Sequence, residues 1–258
     1  MPCGPARCNA DDESWPFPQS CWKEGGMILS PEEWSIVALS LQVSLVAVGL
    51  MLPVAFALAW LLARSRFPGK LLVDALVHLP LVVPPVVTGW LLLLLFGANG
   101  PLGRLFEQAL GVSFMFRWTG AALASAIMAM PLMVRAMRLS IEGIDRRLEQ
   151  AAQTLGAKPR RVFLTISLPL ALPGILAGLV LGFARSIGEF GATITFVSDV
   201  PGETRTLPIA IYSALQMPGA ETAVTRLAVI SILLSLAALV ASEALARRAG
   251  GGRTNHVL

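Results

Sequence analysis

Long uncharged apolar runs alternate with short charged segments along most of this chain. A helix needs about 20 mostly apolar residues to cross the hydrocarbon core of a bilayer. Five runs reach or approach that length, at residues 36–63, 71–97, 119–134, 162–184 and 227–242. A sixth, 207–217, is too short to cross, and we expect a re-entrant or surface helix there. The pattern predicts an all-α integral membrane protein, a polytopic helical bundle of about five transmembrane helices.

Composition supports this prediction. Of the 258 residues, 55% are hydrophobic and 14% are charged, whereas about a quarter of a typical soluble domain is charged. There is too little polar surface to cover a soluble globule of this size. We therefore expect a multi-pass membrane protein, surrounded by lipid. The net charge of +4 bears on topology, and we expect no nucleic-acid partner.

The basic residues predict which way the chain crosses. They concentrate in the segments 64–70 and 135–161 and in the tail at Arg247, Arg248 and Arg253. The acidic residues between the other span ends are Glu32, Glu33, Glu107, Asp199, Glu203 and Glu221. Because cytoplasmic loops carry the excess of Lys and Arg, the N-terminus is expected outside and the C-terminus in the cytosol.

The first 26 residues differ from the rest of the chain. They contain all three cysteines, at a spacing that fits neither a zinc site nor a paired disulfide framework, and no apolar signal-peptide core. We expect them to be a disordered tail or a misassigned start, since Met27 opens a natural beginning. The predicted organisation is an N-terminal tail (1–33), a transmembrane domain (34–248) and a cytosolic tail (249–258).

One charged stretch, "LEQAAQTLGAKPRRVFLTISLP" (148–169), lies in the most basic region. The seven Lys and Arg residues of 135–161 would each cost about 2.5–3.5 kcal/mol at the bilayer centre, so the region belongs in water. Asp145 is a suitable N-cap, Gly156 a helix-ending residue, and Pro159 the first turn of a second helix that runs into the next span. The sequence therefore predicts a short cytosolic helix over 145–156.

This predicted helix has an apolar face, formed by Ile144, Leu148, Ala151 or Ala152, and Leu155. One interpretation is that the face packs on its own bundle or on lipid headgroups. The other is that it docks in the groove of a partner protein. The pattern alone leaves both open.

The spacing resembles the EAA motif of ABC importer permeases. The matching residues are Gln150, Ala151, Ala152, Gly156, Ile166, Leu168 and Pro169. Only the first position departs, because Gln150 stands where the motif has glutamate, and this bears on a charge contact there and not on docking. The resemblance implies an ABC type-1 importer permease fold, in which the loop 145–169 is a coupling helix held by a cytosolic ATPase subunit.

Further stretches resemble the molybdate permeases: "FPGKLLVDALVHLPLVVPPVVTGWLLL", "MPLMVRAMRLSIEGID" and "FARSIGEFGATITFVSDVPGETRTLP". Sulfate and thiosulfate permeases share shorter pieces, and tungstate is not distinguished from molybdate. The resemblance implies import of molybdate across the cell's inner membrane by alternating access. It also implies a permease homodimer, two cytosolic ABC ATPase subunits that use ATP, and a periplasmic oxyanion-binding protein, with no cofactor bound by this chain.

Proline and hydroxyl residues suggest a transport path. Pro80, Pro84 and Pro85 interrupt the second span, which predicts either a broken helix that lines the path or a kink needed only for packing. Arg185 and Glu189 are ionisable residues at the end of a span, which suggests a functional role. Because they are four residues apart, the alternative is a structural ion pair on one helix face. The pathway candidates are Pro84, Pro85, Thr88, Ser186, Glu189, Thr193 and Thr195.

No catalytic motif is visible: the sequence has no phosphate-binding G-x-x-x-x-G-K-[ST] loop and no H-E-x-x-H. We therefore expect a transport subunit that is not itself an enzyme and is driven by another polypeptide. The alternative is an ion-driven secondary carrier, which predicts ionisable residues at the membrane midplane and an internal repeat. Neither feature is apparent. A membrane enzyme would need clustered reactive side chains at one face.

Overall fold

A computed structural model describes residues 30–111 and 113–250. The predictions for residues 1–26 and for the end of the C-terminal tail lie outside the described residues. Those that are described form helices and no strand. The α-helices are α1 (Pro31–Arg64), α2 (Lys70–Val82), α3 (Pro85–Phe96), α4 (Pro101–Leu110), α5 (Trp118–Glu142), α6 (Arg146–Thr154), α7 (Pro159–Val162), α8 (Leu168–Ile187), α9 (Gly191–Val197), α10 (Leu207–Leu215) and α11 (Glu221–Gly250). The all-α prediction is confirmed.

Four helical stretches are long and apolar enough to cross a membrane: α1, α5, the continuous stretch Pro159–Ile187, and Glu221–Ala238 at the start of α11. The pair α2 and α3 makes a fifth if it is counted as one broken span. Within Pro159–Ile187, a π-helical segment, Phe163–Ser167, joins α7 to α8. The predicted bundle of about five spans is confirmed.

The predicted break in the second span is a sharp turn. The axes of α2 and α3 differ by 116°, and neither helix alone reaches across about 30 Å of hydrocarbon at 1.5 Å per residue. Two consecutive prolines explain the stop. Val83 precedes Pro84 and is held extended, with ψ 137°, and Pro84 is itself extended, with ψ 135°. Pro85 then opens α3, where its missing N–H costs nothing.

Helix α5 is the centre of the bundle and packs mainly on α1 and α8. Small residues allow the close approach. A Cβ added at Gly178 of α8 would lie 3.1 Å from the carbonyl oxygen of Met133, and one added at Gly174 would overlap Ser140. Gly174 and Gly178, in the stretch "PGILAG" (173–178), thus allow the close helix contact that small residues typically provide in membranes.

Three hydrophobic clusters succeed one another along α1. The first, here called the inner cluster, lies at the C-terminal end of α1. It includes Ala55, Ala59 and Leu62 of α1 with the C-terminal half of α5. The middle cluster joins Val43 and Ala47 to α3, α5 and α9. The outer cluster lies at the N-terminal end of α1, where Ile36 and Val37 contact α10 and α11. The short helix predicted at 207–217 is α10. Helix α1 is therefore the element that contributes to all three clusters.

Candidate functional site

The local signals predicted for the helix over 145–156 are confirmed. The Asp145 carboxylate accepts a hydrogen bond from the Arg147 backbone N–H at 2.9 Å and caps α6. Gly156 follows the helix with φ +84°, a conformation that costs non-glycine residues free energy. Pro159 opens α7. The second helix then continues into α8 through the π segment, which the sequence does not predict.

Helix α6 has no buried residue. On its predicted apolar face, Leu148 is 51% exposed and Leu155, at its end, is 89% exposed. Only Ile144, just before the helix, is buried against the inner cluster. The interpretation in which this face packs on its own bundle is therefore wrong for the two leucines. Their surface is open to a partner or to the membrane surface.

Glu149 attaches α6 to the membrane-spanning helices. Its two carboxylate oxygens accept hydrogen bonds from the Arg64 guanidinium at 3.0 and 2.7 Å, a bidentate ion pair with the last residue of α1. The Ser167 hydroxyl, at the end of the π segment, donates to the same carboxylate at 2.6 Å. Gln150, the predicted motif position, is exposed. Sequence reasoning missed Glu149, although a carboxylate adjacent to the motif was the available signal.

Aromatic rings pack around this contact of Glu149 with Arg64 and Ser167, which we call the Glu149 junction. The Arg64 guanidinium lies 5.3 Å from the centroid of the Trp60 ring, and Trp60 meets Phe163 edge to face at 5.0 Å. Phe163 begins the π segment, in which the N–H of Leu168 donates to the Phe163 carbonyl. The other motif residues are placed around this segment. Ala151 and Ala152 lie on α6, Ile166 lies half-buried in the π segment, and Leu168 and Pro169 begin α8.

At the other end of α8, the predicted ion pair forms. Arg185 and Glu189 approach to 2.5 Å, and the Glu189 side chain is 1% exposed. Its second carboxylate oxygen accepts a hydrogen bond from the Ala192 backbone N–H at 2.9 Å, in the first turn of α9. Both oxygens are thus engaged in holding the turn between α8 and α9. This favours the structural interpretation of the pair.

The proline break packs against this turn. A Cβ added at Gly89 of α3 would lie 2.6 Å from the Ala192 carbonyl oxygen, and one added at Gly191 would lie 2.8 Å from Cβ of Pro85. The structure therefore brings α3, which contains Pro85 and buried Thr88, against α9, which contains Thr193 and Thr195. Pro84 lies exposed at the turn between α2 and α3.

The predicted hydroxyls differ in their availability. Thr195 donates to the Gly191 carbonyl at 2.8 Å. The hydroxyls of Ser186 and Thr193 are buried and have no hydrogen-bond partner among the described residues, so these two have capacity for a ligand. Across residues 30–111 and 113–250, no group of three or more His, Cys, Asp or Glu side chains is arranged to hold a metal ion.

Comparisons with known proteins agree with this architecture. The family described as "Binding-protein-dependent transport system inner membrane component" matches residues 35–251. The chain is 58% identical over 221 residues to the molybdenum transport system permease protein ModB of Escherichia coli K12, covering 86% of this chain and 96% of that protein. It is 37% identical over 180 residues to the sulfate transport system permease protein CysT of Salmonella typhimurium, covering 69% of this chain and 65% of that one.

Solved structures share the fold at low sequence identity. A bacterial ABC transporter involved in alginate import matches with a TM-score of 0.66 and 19% identity, over 85% of this chain and 80% of that chain. The MetNI methionine ABC transporter in an inward-facing conformation matches with a TM-score of 0.62 and 16% identity, over 84% and 94%. Sequence and fold together lead to one conclusion. The chain belongs to the inner membrane components of binding-protein-dependent transport systems, the permease subunits of ABC importers, and within them to the molybdenum transport permeases.

Proposed function

We propose that this chain is the membrane-spanning subunit of an ATP-driven importer that moves molybdate across the inner membrane by alternating access. The observation that carries the proposal is the geometry of α6. It is a capped cytosolic helix whose two leucines, Leu148 and Leu155, are exposed while Glu149 ties it to α1 and to the start of α8. A helix that is anchored on one side and apolar on the other is suited to lie in the groove of a partner.

The partners follow from the same proposal. Two copies of this chain would form the pore, and two cytosolic ATPase subunits would each hold one α6 and use ATP. A periplasmic protein would deliver the oxyanion. This chain would bind no cofactor of its own and would hydrolyse no ATP. The E. coli and Haemophilus influenzae relatives at 58% identity, both molybdenum transport permeases, support the choice of molybdate over sulfate.

Within the membrane, the proposed path runs beside the contact between α3 and α9. Ser186 and Thr193 support this, because their buried hydroxyls lack partners in the described part of the chain and a hydroxyl can donate to an anionic oxygen. Glu189 would hold the turn and would not bind the anion, since a carboxylate repels it. A path built from hydroxyls binds weakly, as passage requires.

Uptake in membrane vesicles tests the proposal. Vesicles that contain this chain with an ATPase and an oxyanion-binding protein of the molybdate system are expected to accumulate radiolabelled molybdate only when ATP is supplied. Excess tungstate should compete, because it is a tetrahedral dianion of nearly the same size as molybdate. Excess sulfate should compete poorly, because it has the same shape and charge but is smaller. Strong competition by sulfate would instead assign the sulfate or thiosulfate class. Uptake that survives loss of the ATPase but not a protonophore would indicate an ion-driven carrier.

A single substitution tests the role of α6. Gly156→Leu places a side chain at φ +84°, where an L-residue costs about 1–2 kcal/mol, so the end of α6 is expected to shift. ATP hydrolysis should persist while molybdate uptake falls, with membrane insertion intact. Gly156→Asn is the control, because asparagine tolerates this conformation. Normal uptake by the leucine variant would contradict the coupling role.

A further inference from the structure

The junction at Glu149 is the principal polar attachment of α6. Among the described residues, the three hydrogen bonds of its carboxylate are the only side-chain hydrogen bonds from α6 to another element. Both members of the ion pair are largely shielded, with side-chain exposures of 13% for Arg64 and 18% for Glu149. Bidentate charge-assisted hydrogen bonds fix the relative orientation of two groups as well as attracting them.

The chain itself connects α6 to two spans. Residues 143–145 join its start to the end of α5. Residues 155–162 lead from α6 directly into the π segment and α8. Helix α1 has no such connection, because Arg64 and Glu149 lie 85 residues apart in the chain. Yet α1 contributes to the inner, middle and outer clusters. A displacement of α6 can reach α1 indirectly, through the packing of α1 on α5 and α8. In the described part of the chain, the Arg64–Glu149 contact is the direct hydrogen-bonded route from α6 to α1.

We propose that Glu149 is a positioning residue that transmits the displacement of α6 to α1 and α8 together, in place of contacting the ATPase. This rests on the function proposed above. Ser167 fixes one carboxylate oxygen to the π segment, and Arg64 connects both oxygens to α1. The cation–π contact of Arg64 with Trp60, and the packing of Trp60 on Phe163, make the junction one packed unit. The two spans would then move as one body with α6.

The test is the number of molybdate ions taken up per ATP hydrolysed. It is measured in proteoliposomes that contain the permease, the ATPase subunits and the binding protein. Glu149→Gln keeps the shape of the side chain and an acceptor for Ser167 but removes the charge. The double variant Arg64→Gln with Glu149→Gln leaves no unpaired charge, so misfolding from a lone buried charge is avoided. For both, we expect captured ATPase and hydrolysis to stay near wild type and the uptake ratio to fall about fivefold or more.

Two further variants make the result specific. Glu142→Gln removes a nearby carboxylate that pairs, among the described residues, only within its own helix, with Arg138 of α5 at 2.8 Å, and is expected to leave the ratio unchanged. The exchange Arg64→Glu with Glu149→Arg restores the pair with opposite polarity and should recover about half of the ratio or more. A residue that served only stability would change the amount of protein and not this ratio.

Three outcomes would overturn the proposal. An unchanged ratio in both neutral variants would mean that Glu149 transmits nothing. A loss of captured ATPase in proportion to the loss of uptake would mean that Glu149 contacts the partner directly. The third outcome is read in the wild-type arm alone: a wild-type assembly that hydrolyses ATP but takes up no molybdate would refute the proposed function itself, before any variant is compared.

Discussion

Neighbouring carboxylates at the start of α1 differ sharply in environment. Glu33 is fully buried: one oxygen accepts the Ser30 backbone N–H at 2.8 Å, and the other lies 3.2 Å from the Arg226 guanidinium of α11. Glu32 is exposed, and its nearest approach to Arg205 is longer, at 3.8 Å. A buried charge depends on its partner, whereas an exposed ion pair contributes about 0–1 kcal/mol. The two positions therefore have unequal effects on stability.

Removal of the buried carboxylate is expected to destabilise the protein. Glu33→Ala removes the capping interaction at Ser30 and leaves the partly exposed Arg226 without its partner, which should cost about 1–3 kcal/mol of unfolding free energy. Glu32→Ala is the matched control and should cost less than about 1 kcal/mol. Thermal unfolding of the detergent-solubilised protein measures both. Equal losses in the two variants would contradict the burial argument.

Single residues could be predicted where their role is local. Asp145, Gly156 and Pro159 act on the backbone within a few residues, so cap and turn preferences identify them from the sequence. The Arg185–Glu189 pair was predictable for the same reason, because its members lie one helical turn apart. The buried ion pairs of Glu149 and Glu33 could not be predicted, because their partners Arg64 and Arg226 lie far away in the chain. No local sequence pattern indicates such distant partners.

Among elements, α5 and α8 are closely packed at Gly174. A methyl group at Gly174 would overlap Ser140 and come within 3.0 Å of the Ala136 carbonyl oxygen, both on α5. Gly49 of α1, in contrast, has nothing within 4 Å of the position of a Cβ. The same substitution should therefore have opposite effects at the two helical sites.

Alanine at these glycines tests the packing. Gly174→Ala should lower the unfolding free energy by about 1–3 kcal/mol, because α8 and α5 must move apart. Gly49→Ala should raise it by about 0.5–1 kcal/mol, since alanine is the better helix former and meets no neighbour. Thermal unfolding in detergent provides the comparison. A stabilised Gly174→Ala protein would show that the two helices are less closely packed than described.

The prediction of elements succeeded wherever one long apolar run makes one helix. Helices α1, α5 and α11 follow directly from such runs, and α6 from its caps. The 116° turn between α2 and α3 did not follow, because Pro84 and Pro85 dictate where a helix stops and not where the next one points. The short helices α4 and α9 were also not predicted. Each is short, and its position depends on packing against α3.

For the whole molecule, the described contacts agree with the predicted topology. The end of α1, the segment around α6 and the start of α8 meet at the Arg64–Glu149 junction, so they lie on one side of the membrane. The start of α1 meets α10 and the start of α11 in the outer cluster. These two ends of the bundle correspond to the basic and acidic segments of the sequence.

Cysteine labelling tests this orientation. In a background where Cys3, Cys8 and Cys21 are replaced by serine, Leu155→Cys is expected to react with a membrane-impermeant thiol reagent only in inside-out vesicles. Glu203→Cys, in the exposed segment between α9 and α10, should react only from the outside. The serine background without either cysteine is the control for unspecific labelling. The reverse pattern would invert the topology and remove α6 from the reach of a cytosolic ATPase.

The pair between Glu33 and Arg226 has a consequence for biogenesis. The first span reaches the bilayer early in synthesis, yet the cation that neutralises its buried carboxylate belongs to the last span. Until that last helix is inserted, the nascent protein holds an uncompensated acid at its outer rim. Insertion of α11 therefore supplies the counter-ion of α1. Chains that stall before this step keep an unpaired buried charge, which is a defect that membrane quality-control proteases are expected to recognise.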